Sequence, residues 1–177
     1  MAPNELQTFL EMWQGEAQKT VALLRALPAG QYDFRPDPGG RSLGELAWHL
    51  AEADGYVTYG IEQGTFAPGS KPPGIERPKS VEALAPGYER IHKDAVARVQ
   101  RMRAEDLDKK LRYFDTKDRT VRDLLWSGML FHNIHHRGQL SMLCRMAGGV
   151  SPGMFGPNRE EFARLRAAAR EAAAAKA

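Results

Sequence analysis

The sequence predicts an all-α protein: a four-helix bundle followed by a short additional C-terminal helix. Three observations carry this. Apolar residues recur at three- and four-residue steps along four long segments, no stretch alternates convincingly as a strand would, and Pro/Gly-rich connections separate the segments. With 177 residues, 42% of them hydrophobic and 27% charged, the chain reads as one domain over 1–177, with 157–177 as the C-terminal helix and tail.

The first helix carries Leu6, Phe9, Leu10, Trp13, Ala17, Val21, Leu24 and Leu27, and Pro28 ends it. After the loop "PAGQYDFRPDPGGR", Ser42 opens a second helix, with Glu45 three residues on completing a capping box. Its stripe is Leu43, Leu46, Ala47, Leu50, Val57 and Ile61. The connection "GTFAPGSKPPGIERPKS" is long enough to let helices 2 and 3 run parallel. Ser80 is expected to start the third helix, which carries Val81, Leu84, Tyr88, Ile91, Ala95, Val99 and Met102. "LDKKLRYFDTKDR" reads as irregular and briefly extended. Thr120 caps a fourth helix with Leu124, Leu125, Met129, Phe131, Leu143 and Met146, and Gly148-Gly149 stop it. Asn158 with Glu161 caps the last helix, whose Ala-rich end is expected to fray.

Several classes are excluded. The 25 basic residues are interspersed with 22 acidic ones, so there is no continuous basic stripe of the kind a nucleic acid needs. Cys144 is the only cysteine, so no internal disulfide forms. No apolar run approaches the ~20 residues that span a bilayer. The start "MAPNELQTFLEMWQ" lacks a signal peptide's basic and apolar regions, so the expected location is cytoplasmic.

Three of the five histidines fall within "HNIHHRGQL", residues 132–140. His132 and His136 lie one helical turn apart and about 40° apart around the axis, so they project side by side. Their stripe also holds Leu125, Gly128, Met129, Gln139 and Leu143, which reads as the core-facing side. Two imidazoles so spaced can share one metal ion, although the spacing alone is a weak signal. Asn133 follows the first histidine where a zinc-protease helix would have Glu. His49, on the flank of helix 2's stripe beside Glu45, Ala53 and Tyr56, supplies a third inward imidazole. The competing reading makes each an ordinary semi-buried histidine bonded to a backbone carbonyl.

These segments resemble the DinB-like (DinB/YfiT) superfamily of metal-binding four-helix bundles. "YDFRPDPGGRSLGELAWHLAEAD" is similar to that family's loop and second helix, "HNIHHRGQL" to its H-x-x-x-H-R-G-Q segment, and "PGMFGPNREEF" to its usual close after helix 4. The resemblance implies an up-down-down-up bundle, commonly dimeric, with a divalent metal held by His49, His132 and His136 and further positions open. Zinc or nickel comes first as the ion, with iron, manganese or cobalt as further candidates. It also implies a metal-dependent enzyme of the thiol S-transferase or hydrolase type, acting on a small molecule with a low-molecular-weight thiol as cosubstrate. The alternative is a non-enzymatic, stress-related metal-binding or dimerising protein. Metal occupancy is expected to fall below about pH 6, as protons compete for imidazole.

Around the three histidines, Gln139, Glu45 and Tyr56 are candidates to support the ligands. Glu45 has the blander capping role and Gln139 a competing one as an interhelical hydrogen bond. Gly128 either makes room for substrate or lets helices pack closely. His135 reads as a packing or dimer-face residue, His92 as a satisfied core histidine and Cys144 as an inert core thiol. Arg137 is expected to face outward, pairing with an acid at the surface or a dimer interface. With three tryptophans, this outward side predicts an exposed apolar interface and a homodimer.

Overall fold

The computed structural model describes residues 4–175. It contains α1 (Glu5–Arg25), α2 (Leu43–Gln63), α3 (Leu84–Gln100), a short α4 (Val121–Leu125) continued through a π-helical turn (Trp126–Phe131) into α5 (His132–Met146), and α6 (Arg159–Ala174). A 3-10 turn (Ala104–Asp108) and a two-stranded antiparallel hairpin, β1 (Lys110–Arg112) and β2 (Asp118–Thr120), fill the connection between α3 and α4. Residues 176–177 of the expected tail lie outside the described residues. No described helix is long and apolar enough to cross a membrane.

Contacts between helices fix their directions. Gly87 packs on Trp48, His92 bonds Asp54, and Arg98 and Arg101 pair with Glu62, so α2 and α3 run parallel. Phe9 packs on Trp126, Glu16 pairs with Arg137, and the Cys144 thiol lies 3.6 Å from the Ala26 carbonyl, so α1 runs parallel to α4–α5. His49 meets His136 while Asp54 meets Asn133, which makes α2 antiparallel to α5. The order is therefore up-down-down-up, with α2 at the centre and buried around most of its circumference.

Local capping explains most boundaries. The Asn4 side chain accepts from the Gln7 N–H to start α1, Ser42 and Glu45 form the capping box of α2, Thr120 caps α4, and Asn158 and Glu161 cap α6. Ser80 does not start α3. That helix begins four residues later, behind Ala83 and without a side-chain cap, because residues up to Ala83 form turns. α6 remains helical to Ala174 but buries no residue. Arg145 holds it by a two-pronged pair to Glu160 at 2.7 and 2.8 Å, and Asn158 donates to the Ser151 carbonyl at 2.8 Å.

One polar network lies at the centre. Asp54, 0% exposed, accepts from Trp13 Nε1 (3.2 Å) and Asn133 Nδ2 (2.8 Å) on one oxygen and from His92 Nδ1 (2.8 Å) on the other. Each donor belongs to a different helix. His92 is thus satisfied at Nδ1, whereas its buried Nε2 has no partner, so the satisfied core histidine the sequence suggested is met on one side of the ring only. Replacing Asp54 with Ala strands those donors, and the expected cost is about 3 kcal/mol or more of unfolding free energy. Urea denaturation followed by circular dichroism measures it; a loss under about 1 kcal/mol would show that the network contributes little.

Candidate metal centre

The π-helical turn decides where the histidines point. It adds a residue to the turn just ahead of His132, so the expected stripe from Leu125 to Leu143 is not a single face. Leu125 and Met129 are fully buried, but beyond the turn the core side of α5 is centred on Asn133, Arg137, Leu140 and Cys144, with Leu143 also buried at its edge. His132 and His136 each stand one residue, about 100°, before this face and are half-buried on the flank toward α2. Gln139 is exposed. The expectation that the pair lies on the apolar core-facing side is corrected accordingly.

Arg137 also departs from expectation. It is 2% exposed and points inward, pairing with Glu16 and donating to the Glu16 carbonyl at 2.7 Å. The outward apolar side predicted from Arg137 and the tryptophans does not exist in that form, since Trp13 and Trp48 are each 1% exposed. The exposed apolar residues of this segment are Phe131, Met142 and Met146, with His135 also exposed.

His49 approaches from α2, on the less buried stripe Glu45, His49, Glu52 and Tyr56. Its Nε2 lies 2.9 Å from His132 Nε2, and one nitrogen from each of His49, His132 and His136 falls within 4.8 Å of the others. Two nitrogens about 2.1 Å from one ion stand roughly 3.0–3.4 Å apart for octahedral to tetrahedral angles, so the cluster has the scale of a metal site. The three histidines form a site able to hold a divalent metal.

Hydrogen bonds behind the rings turn them toward one another. His136 Nδ1–H donates to Gln139 Oε1 at 2.6 Å, which leaves Nε2 free. His49 Nδ1 lies 3.4 Å from Glu52 Oε2, and Arg77 holds the other Glu52 oxygen at 3.0 Å. This carboxylate–histidine arrangement is the usual support for a ligating imidazole. Burial raises the Glu52 carboxyl, but the bonds from His49 and Arg77 outweigh it and hold the group below the usual carboxylate range. Sequence reasoning missed Glu52, although its i, i+3 relation to His49 was visible. Glu45 instead serves the Ser42 cap, Arg35 and Arg77.

Burial holds two of the rings, His132 and His136, in the neutral form. Burial first, then the neighbouring His136 and His49 and the charge of Arg41, depress His132 to about 4. Burial likewise lowers His136, against the opposing bond from Gln139. Neutral imidazole is the form that binds metal. Cys144 is buried, and its thiol is pushed up by burial, as an inert core cysteine should be.

His49 and His132 open onto a cleft of about 490 Å³, whose walls include Tyr56, Gly128, Tyr113 and Phe114. A Cβ at Gly128 would make only ordinary contacts, the nearest at 3.7 Å, so close packing does not require the glycine. Burial raises the Tyr56 phenol, which therefore stays protonated near neutrality and can donate a hydrogen bond.

The DinB superfamily pattern matches residues 12–140. The uncharacterized protein YrdA of Bacillus subtilis (strain 168) is 31% identical over 162 residues, covering 90% of this chain and 93% of YrdA. Among solved structures, a DinB-like protein from Bacillus cereus ATCC 10987 aligns with a TM-score of 0.67 at 27% identity, over 82% of this chain and 94% of that one. The DinB-like protein YjoA of Bacillus subtilis has the same fold, with a TM-score of 0.66 at 23% identity over 86% of this chain and 99% of that one. With its residues 12–140 matched and a relative at this level of identity, the chain belongs to the DinB superfamily.

Proposed function

We propose that His49, His132 and His136 bind one divalent transition metal, zinc or nickel first, and that the protein is a metal-dependent enzyme acting on a small molecule. Thiol S-transfer or hydrolysis is the reaction class. The observation that carries this is the convergence of three imidazoles beside a cleft, with no fourth His, Cys, Asp or Glu in the cluster among the described residues. Three protein ligands with an open side suit catalysis, whereas structural zinc sites are closed by four.

A divalent ion held there would supply a Lewis acid able to lower the pKa of a thiol or water. The chain's own residues do the positioning. Gln139 fixes the ring of His136, and Glu52 with Arg77 fixes that of His49. Tyr56 offers a neutral donor from the cleft wall, while Tyr113 and Phe114 on the hairpin give that wall an aromatic side. The expected homodimer finds support in the exposed Phe131, Met142 and Met146.

Elemental analysis of untagged protein should find about one metal per chain. His132→Ala and His136→Ala should each lose most of it while keeping their helical circular dichroism, and His135→Ala should keep it. Gln139→Ala should weaken binding about 10- to 100-fold. A screen pairing small thiols with electrophiles should give turnover that chelation and His132→Ala both abolish. A chain that binds no metal under any condition would end this proposal.

The pH behaviour has a defined sign. His132 has a folded-state pKa near 4, below the unfolded value of about 6.5, so the unfolded chain takes up the proton first. Its contribution to metal-free stability is present above pH ~6.5 and fades as the pH falls toward ~4. His132→Ala should flatten that part of the stability–pH curve in chelator-treated protein. The same lowering moves proton competition for the metal below the pH of about 6 expected for ordinary imidazole. An unchanged slope in the variant would contradict this account.

Light scattering at micromolar concentration should give twice the 19.7 kDa chain mass, falling to one chain in Phe131→Ser/Met142→Ser. Wild-type protein that stays monomeric would remove the dimer from the proposal.

A further inference from the structure

The cleft beside the histidines carries positive charge that the protein leaves unmatched. Arg41, one residue before the cap of α2, and Lys71, in the connection between α2 and α3, both line it and both are exposed. Other bundle arginines have partners: Arg35 and Arg77 pair with Glu45, Arg98 and Arg101 with Glu62, and Arg137 with Glu16. Arg90 bonds the Gly74 carbonyl. Among the described residues ahead of α6, Arg41 is the one arginine without a hydrogen-bond or ion-pair partner. Lys71 has none either.

Glu52 is the one acidic residue in the cleft lining, and His49 and Arg77 already engage it. The imidazoles contribute no negative charge, so a divalent ion held by them would keep its charge toward the cleft. A concave surface of one sign with low-dielectric walls concentrates counter-ions. Those walls are aromatic. Phe114 is 57% exposed and stands edge-on to Phe66, which also packs on Tyr113, leaving an uncovered ring surface at the cleft. Arginine's planar fork matches a carboxylate or phosphate, and lysine adds a point charge.

We propose that the molecule entering this cleft is a small anion with an apolar or aromatic body, its carboxylate or phosphate held by Arg41 and Lys71 and its body laid against Tyr113 and Phe114. The proposal deepens the metal-enzyme reading and rests on it for what happens at the histidines, but not for where the anion binds.

The test is a protein-observed NMR titration of the full chain, zinc-loaded and chelator-treated, with phenylacetate, benzylphosphonate and phenylacetamide. The three probes share a benzyl body and differ in the anionic group. At least one anion should bind about tenfold tighter than the amide. Most of that preference should vanish in Arg41→Gln/Lys71→Gln, whose exposed substitutions should leave the thermal midpoint unchanged; each single variant should show a partial loss. Which anion prevails distinguishes carboxylate from phosphate. The proposal is overturned if neither anion outbinds the amide. It is equally overturned if the preference survives unchanged in the double variant, as when an anion simply binds the zinc. Zinc content is measured on the same samples. A chain that takes up no zinc yet keeps the Arg41-dependent preference sinks the metal reading and leaves this one standing.

Discussion

A single buried carboxylate ties the bundle together. Asp54 on α2 accepts from Trp13 on α1, His92 on α3 and Asn133 on α5, so one side chain links the four long helices. A carboxylate without those donors would be costly at zero exposure; with them it becomes a directional lock that apolar packing alone cannot provide. Asn133 also donates to the Leu50 carbonyl, at 3.2 Å, which pins α5 to α2 in both rotation and height. His132 immediately precedes Asn133 in the chain, and His49 immediately precedes Leu50. The geometry of the histidine cluster is therefore set from inside the core, by residues that do not belong to the cluster.

A second inward polar residue reinforces this arrangement from the other side. One turn after Asn133, Arg137 reaches α1 and engages Glu16 and its backbone carbonyl. α5 is thus held to α2 and α1 by polar contacts, and its histidines are left on the flank between core and cleft. That position reconciles two demands on a metal-binding imidazole. Enough burial keeps the ring neutral, while enough access lets a small molecule reach it.

Local features were legible in the sequence, and those set by the tertiary structure were not. The caps at Ser42, Thr120 and Asn158 depend on residues within one turn and were readable directly. The apolar stripes gave the helices because burial follows the 3.6-residue period. The His49–His132–His136 grouping was readable because i, i+4 spacing and a shared resemblance both pointed there. The π-helical turn was not, since nothing in "WSGMLF" announces an extra residue in a turn. Asn133 and Arg137 defeated the stripe reading for a related reason: a polar residue facing the core looks, in sequence, like the opposite face. Ser80 was a plausible cap that the turns through Ala83 displaced by four residues. Glu52 could have been found from its spacing to His49, but the capping signal at Glu45 drew attention to the wrong carboxylate.

The central claim is that three imidazoles share one ion beside an open cleft. X-ray absorption spectroscopy of the zinc-loaded chain tests it most directly. The account predicts three imidazole nitrogens at roughly 2.0–2.2 Å, with the remaining coordination filled by light atoms that exchange with added small ligands. A first shell containing sulfur from Cys144, or a closed set of four protein ligands indifferent to added ligand, would contradict it.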